Sequence, residues 1–143
     1  MRVHWSLWLV GVVALVWHGM SVVNWVMQLS ADGVANLPEP FRGLVESRPF
    51  WATFAFALSG IAGTLGALAL LRRHRICGPL FFFSFLGSLF AVLQTIIAGA
   101  FSLLSAGLIV LTVLGPVVFG FFLIVYTHVA RKRGWLKGTK AVE

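Results

Sequence analysis

The sequence predicts an all-α, polytopic membrane protein with four transmembrane helices in one bundle. Of its 143 residues, 59% are hydrophobic and only 10% are charged, and the mean hydropathy is +0.96. A soluble protein has about a quarter of its residues charged. Three long runs also lack Lys, Arg, Asp and Glu, namely Val3 to Ala31, Pro49 to Leu71 and Ile76 to Ala130. The composition therefore excludes a soluble globular enzyme.

The lengths of these runs predict the number of spans. A helix needs about 20 residues to cross a bilayer core about 30 Å thick. The first two runs hold one span each, at about 5–29 and 50–71. The third run has 55 residues and fits two spans, at about 76–97 and 107–130, joined by a turn rich in Gly, Ser and Ala. We expect one membrane domain over 1–143, with an outer loop at 30–49 and a basic tail at 131–143.

The distribution of basic residues predicts the orientation in the membrane, because loops rich in Lys and Arg stay in the cytoplasm. Nine of the eleven fall on one side of the predicted spans, whereas Arg42 and Arg48 share the outer loop with three of the four acids. The nine are Arg2, Arg72, Arg73, Arg75, Arg131, Lys132, Arg133, Lys137 and Lys140. We expect a bacterial inner-membrane protein with both termini in the cytoplasm. The net charge of +7 then reflects orientation and contact with anionic lipid, and not nucleic-acid binding.

Four polar side chains of the first span share one face of the helix. They are His18, Ser21, Asn24 and Gln28, which at 100° per residue lie within a sector of about 120°. Polar groups inside a membrane face neighbouring helices or mark a functional site. The stripe is therefore either hydrogen-bonded packing or a ligand site open to the outer side. A metal or haem would need a second ligand at the depth of His18, so we expect no metal and no cofactor.

Small residues recur at helical spacing in the second and third spans. The series is Ser59, Gly63 and Ala67 in the second span, and Ser84 with Ser88 in the third. Small side chains let helix backbones approach closely in lipid. The two series predict either a contact between these two helices or a seam between two copies of the protein.

Two prolines predict irregular points in the chain. Pro116 lies in the middle of the fourth span, where it removes one backbone hydrogen bond and predicts a kink near the preceding turn. Pro40 is followed by Phe41, Leu44 and Val45 at helical spacing. This spacing predicts a short helix whose apolar edge rests on the membrane surface, where it would cover the outer end of the bundle.

The sequence carries no catalytic constellation. No Asp or Glu lies in a predicted span, so no carboxylate pair is available for acid–base chemistry. Small multidrug-resistance transporters, which have a similar length, depend on a glutamate in their first helix, and this chain has none there. The sequence also lacks HExxH, CxxC and a glycine-rich phosphate loop joined to a lysine. We expect that the protein is not an enzyme.

Several short motifs occur in an order that resembles a known family. They are WHGMSVVNWVMQ at 17–28, RPFW at 48–51, GALALLRR at 66–73 and RKRGWL at 131–136. The layout resembles a family of small uncharacterised bacterial four-span inner-membrane proteins, often labelled "sugar transporter". The resemblance covers nearly the whole chain and implies no functional residues. If the label applies, the stripe on the first span, with Trp17 and Trp25 nearby, is where sugar hydroxyls would bind.

Two functions remain open from the sequence. The first is a bundle without catalysis that works as a homo-oligomer or as an accessory subunit of a larger membrane assembly, suggested by the small-residue series. The second is a transporter or binder of a small neutral or lipophilic, sugar-like solute, bound by the polar stripe and the turn at Pro116. The expected partners are the lipid bilayer and a second membrane protein or copy of this chain, and the sequence does not identify a ligand.

Overall fold

A computed structural model describes residues 3–137, and within this range the chain is helical without strands. In chain order the helices are α1 (Ser6–Met27), α2 (Ala31–Ala35), α3 (Phe41–Glu46), α4 (Phe50–Leu71), α5 (Cys77–Ile97), α6 (Ala100–Leu103), α7 (Ala106–Ile109), a π-helical segment (Val110–Leu114) and α8 (Gly115–Lys132). Helices α1, α4 and α5 are long and apolar enough to cross a membrane, and so is the continuous stretch Ala106–Lys132, here termed the fourth long helix. The predicted all-α class is confirmed, and the chain has four helices long and apolar enough to cross a membrane, as predicted.

Helix α4 lies at the centre of the helix arrangement. It packs against α1 and α5, and α5 packs in turn against α8. The buried residues of α4 are almost all Ala, Gly or Ser, whereas many large apolar side chains of the long helices are exposed on the outside. In lipid, apolar surface alone does not drive helices together, so close backbone approach through small residues takes its place. The exposed apolar side chains are then the surface that contacts lipid.

The small residues of α4 pack against two different helices of the same chain, α1 and α5. A Cβ atom added at Gly63 would overlap the imidazole ring of His18 on α1. Ser59 instead faces α5, where a Cβ at Gly87 would lie 2.8 Å from the Ser59 backbone nitrogen. Ala67 is fully buried in the core that both neighbours share. The predicted series in the second span therefore forms contacts within one chain on two sides of the helix.

Pro116 interrupts the hydrogen bonding of the fourth long helix. Proline has no N–H, so the carbonyl of Thr112, four residues earlier, lacks its usual helical partner. The preceding turn is π-helical, and the Gly115 N–H donates to the carbonyl of Val110, five residues earlier. Single π-helical turns inside α-helices occur frequently at functional sites. The irregular geometry occupies the turn at which the sequence predicted a kink.

Both ends of the described chain and the loop between α4 and α5 lie together at what we call the basic end. The Ser6 and Tyr126 hydroxyls are 2.8 Å apart and join α1 to α8. Arg73 Nε donates to the Trp135 carbonyl at 2.9 Å, and the Lys137 N–H donates to the Arg73 carbonyl at 2.6 Å. Within the described range, the basic residues of this end are Arg72, Arg73, Arg75, Arg131, Lys132, Arg133 and Lys137. Arg2, Lys140 and the tail from residue 138 onward lie outside the described residues.

The opposite end, here termed the outer end, is covered by the segment between α1 and α4. Helix α3 begins directly after Pro40, as the spacing predicts. Its Leu44 is buried in a cluster with Ala100 and Leu104, which lie between α5 and the fourth long helix. The segment therefore extends from α1 and α4 across to the other half of the helix arrangement, and it carries three of the acidic residues.

Candidate functional site

A cavity of about 780 Å³ lies in the outer half of the helix arrangement. Helix α1 and the turn around Pro116 form facing walls, α4 and α5 form the back, and residues 37–48 cover the outer end. Most lining side chains are apolar, among them Trp17, Phe41 and Phe56. Small-molecule sites are mainly apolar clefts of about 300–1,000 Å³ with a few polar groups. The cavity has the size and the lining of such a site.

The structure separates His18 from the other members of the polar stripe. The three that line the cavity are Ser21, Asn24 and Gln28. His18 lies one turn deeper and is only 4% exposed. Its ring contacts Gly63, and its centroid is 6.3 Å from that of Phe81 and 6.2 Å from that of Phe119. Its Nε2 atom has no hydrogen-bond partner among residues 3–137. His18 thus belongs to the core between the helices.

Trp17 forms the inner limit of the cavity. Its ring lies across the gap between α1 and α8, with its centroid 5.3 Å from that of Phe119. A Cβ added at Gly115 would lie 3.4 Å from the Trp17 ring. The indole therefore packs beside Gly115 at the π-helical turn, at the distance of ordinary van der Waals contact. The indole lies between the cavity and the core that contains His18.

Most hydroxyl groups in the cavity wall already donate within the chain. Ser21, Thr95 and Thr112 donate to backbone carbonyls of their own helices at 3.0, 2.9 and 2.7 Å. The Ser59 and Ser88 hydroxyls are 2.6 Å apart and join α4 to α5. A hydroxyl has one proton to donate. The first three groups therefore have acceptor capacity for a ligand but no free donor.

A hydrogen-bonded chain of three side chains leads from the outer end into the cavity. Arg48 Nη1 donates to Gln28 Oε1 at 2.8 Å, and Gln28 Nε2 donates to Asn24 Oδ1 at 3.1 Å. Within residues 3–137, the NH₂ group of Asn24 makes no hydrogen bond. The chain holds both amide groups in one orientation, and its unpaired donor belongs to Asn24, an exposed residue that lines the largely apolar cavity.

Arg48 is a partly buried cation with few partners. Its guanidinium carbon lies 5.2 Å from the centroid of the Phe56 ring, a cation–π contact. It also lines a smaller pocket of about 160 Å³ next to Glu46. In the described part of the chain the ion pair found joins Arg42 to Glu39 at 3.6 Å, and none involves Arg48. Burial lowers the pKa of the Arg48 guanidinium below its ordinary value, although an arginine stays charged at neutral pH.

The five residues predicted to pack helices lie between helices of the same chain. They are Ser59, Gly63, Ala67, Ser84 and Ser88. Besides the pair described above, the Ser84 hydroxyl donates to the Ser59 carbonyl at 2.7 Å. The surfaces that suggested a seam between two copies are thus covered inside one chain.

Among the cavity residues that sequence reasoning did not single out are Arg48 and Phe56. Arg48 lies directly before Pro49, where the second predicted span begins, so the sequence indicated a charge exposed to water there and not one beside a cavity. No group of three or more His, Cys, Asp or Glu side chains in residues 3–137 is placed to hold a metal ion.

No protein-family model matches the chain, and neither a curated protein nor a solved structure shows significant similarity to it. The resemblance based on short motifs stays a prediction.

Proposed function

We propose that this multi-pass membrane protein binds a small lipophilic solute in the outer cavity, as a binder or as a transporter. The observation that supports this proposal is the cavity of about 780 Å³, with apolar walls and the unpaired donor groups of Asn24 and Arg48. Pockets of this kind, with a few convergent polar groups, are the usual sites for small ligands. The proposal involves no catalysis.

The wall chemistry favours a lipophilic solute over a sugar. A sugar presents hydroxyls on most of its surface and needs many polar partners, since unpaired polar groups are costly to bury. Three of the hydroxyl groups in the wall already donate to their own helices. An apolar body can instead contact Trp17, Phe41 and Phe56, while one polar end reaches Asn24 and Gln28.

In this proposal the protein lies in a bacterial inner membrane with its basic end in the cytoplasm. The support is the positive-inside rule, because the described basic residues concentrate at that end and the acids at the outer end. The cavity then opens in the outer half of the bilayer. A lipophilic solute can reach it from the membrane or from the outer surface.

Binding of hexadecanol, a tail with one hydroxyl, tests the proposal. The protein is placed in nanodiscs of zwitterionic lipid, and native mass spectrometry counts bound molecules against empty nanodiscs. Ala91→Phe places a ring in the cavity wall, whereas Leu93→Phe adds a ring on the same helix at an exposed position outside the lining. We expect one bound hexadecanol in the wild type and in Leu93→Phe, and none in Ala91→Phe. Equal occupancy in the two variants would contradict the proposal.

A second candidate is an accessory subunit whose membrane partner inserts a helix into the cavity. The observation that favours it is the gap between α1 and the fourth long helix, which lies outward of the Trp17–Phe119 contact. A second copy of this chain is the other possible partner, but the small-residue faces that suggested it are covered within the chain.

Photo-crosslinking in native membranes separates this candidate from the first. Val23 lines the cavity and is 60% exposed, whereas Leu93 is 49% exposed and lies outside the lining. A crosslinker at position 23, but not at position 93, would capture one defined membrane protein if a partner helix fills the gap. A captured second copy of the chain would identify a homo-oligomer. Crosslinks to lipid alone would leave the accessory role without support.

A further inference from the structure

At the outer end of the cavity, Arg48 forms no ion pair within the described part of the chain. We infer that the solute is an anionic amphiphile, with its charged head group bound by Arg48 and a single apolar tail inside the cavity. This inference rests on the proposed function, because it assumes that the cavity binds a ligand.

Arg48 has the hydrogen-bonding capacity for an anionic head group. A guanidinium has five N–H donors, and Arg48 uses one of them, toward Gln28, within residues 3–137. Its planar fork matches carboxylate and phosphate oxygens in pairs. Glu46 lines the neighbouring small pocket but forms no ion pair with it. A cation held partly out of water without a counter-ion is unfavourable, and a bound anion would remove this cost.

The NH₂ group of Asn24 is a second donor available to the ligand. Gln28 uses its carbonyl toward Arg48 and its NH₂ group toward Asn24. The Asn24 carbonyl accepts this bond, and its NH₂ group donates none within residues 3–137. Near the outer end, the N–H groups of Arg48 and Asn24 are therefore free to donate to a ligand. A head group with several acceptor oxygens satisfies them better than an alcohol or an amine does.

The shape and lining of the cavity suit an apolar tail. The lining residues on α1 extend from Gln28 to Trp17, which is about 16 Å along the helix at 1.5 Å per residue. Along this path the wall is mainly apolar and ends at the Trp17 ring. A single alkyl chain can lie along α1 with its head group at Arg48 and its end at the indole.

Three probes distinguish the parts of this ligand. Hexadecyl phosphate carries both the tail and the charge, hexadecanol carries the tail alone, and inorganic phosphate carries the charge alone. Affinities are measured by titration into the full-length protein in zwitterionic nanodiscs, with empty nanodiscs as the blank. We expect hexadecyl phosphate to bind at least about tenfold more tightly than hexadecanol, since charge-assisted hydrogen bonds are stronger than neutral ones. We expect inorganic phosphate not to displace it.

Two arginines of the outer loop provide a matched pair of variants. Arg48→Gln removes the charge at the cavity, whereas Arg42→Gln removes one that bonds to backbone carbonyls of the loop and to Glu39. We expect the preference for hexadecyl phosphate over hexadecanol to disappear in Arg48→Gln and to persist in Arg42→Gln. Arg48→Lys, which retains the charge but not the fork, should give an intermediate preference.

The possible results separate this inference from the proposed function. Equal binding of the two amphiphiles, or an unchanged preference in Arg48→Gln, would refute anion recognition while the binding function stands. Displacement by inorganic phosphate would show a site for free anions, which also contradicts an amphiphile. If neither amphiphile binds above the blank, the proposed function itself fails.

Discussion

Gly63 of α4 packs against the His18 ring of α1 with no room for a methyl group, and replacing the glycine tests this arrangement. A Cβ at position 63 would overlap two atoms of the imidazole and lie 2.5 Å from a third, Cε1, whereas ordinary contact begins at 3.4 Å. The ring would have to retreat by about 0.9 Å or more. Phe81 and Phe119 flank it, and it is only 4% exposed. We expect Gly63→Ala to destabilise the protein by about 1–3 kcal/mol, the usual cost of overpacking.

The single cysteine gives a direct assay of this loss. Cys77 is fully buried in the core, so a thiol reagent modifies it when the helices open. If opening is fast compared with modification, a loss of about 1–3 kcal/mol raises the rate by about 5- to 150-fold. Gly19→Ala is the control, because a Cβ there meets nothing within 4 Å. We expect it to leave the rate unchanged or to lower it, since alanine favours a helix more than glycine does.

A double variant identifies the cause of the loss. His18→Ala removes the ring that the new methyl group would strike, so the change at Gly63 should cost less in that background. Neighbouring residues of this kind show interaction energies of about 0.5–3 kcal/mol. Equal modification rates for Gly63→Ala and Gly19→Ala would refute the packing argument. An unchanged cost of Gly63→Ala in the absence of the ring would refute it too.

Three further predictions follow from other contacts. Ser88→Ala breaks the 2.6 Å hydrogen bond to Ser59, so the free energy of unfolding in micelles should fall by about 0.6–1.7 kcal/mol. Adding Ser59→Ala should lower it no further, and additive losses would contradict the prediction. Trp17→Ala should lower stability by about 3 kcal/mol, because the cavity would extend into the core, and an unchanged unfolding temperature would contradict the role of the indole. In a cysteine-free background, a membrane-impermeant maleimide added to intact cells should label Asn36→Cys and not Lys137→Cys, both at exposed positions; the reverse pattern would overturn the proposed orientation.

Packing against a neighbour decides the role of each polar residue on α1, and the sequence does not reveal it. His18, Ser21, Asn24 and Gln28 share one helical face in the sequence and carry equal weight as ligand candidates. In the structure Gly63 of α4 packs directly on the ring of His18, while Ser21, Asn24 and Gln28 line the cavity. The difference depends on where a second helix crosses the first.

The sequence by itself determined that the chain is all-helical, how many helices can span a membrane and where the charged residues fall. These features follow from apolar length and composition, which need no knowledge of neighbours. Only the tertiary structure decided that Arg48 hydrogen-bonds to Gln28, 20 positions earlier in the chain, and that Ser59 contacts α5 while Gly63 contacts α1. The physical reason is that a cavity is the space between helices, so its shape and its free donors depend on how the helices approach one another.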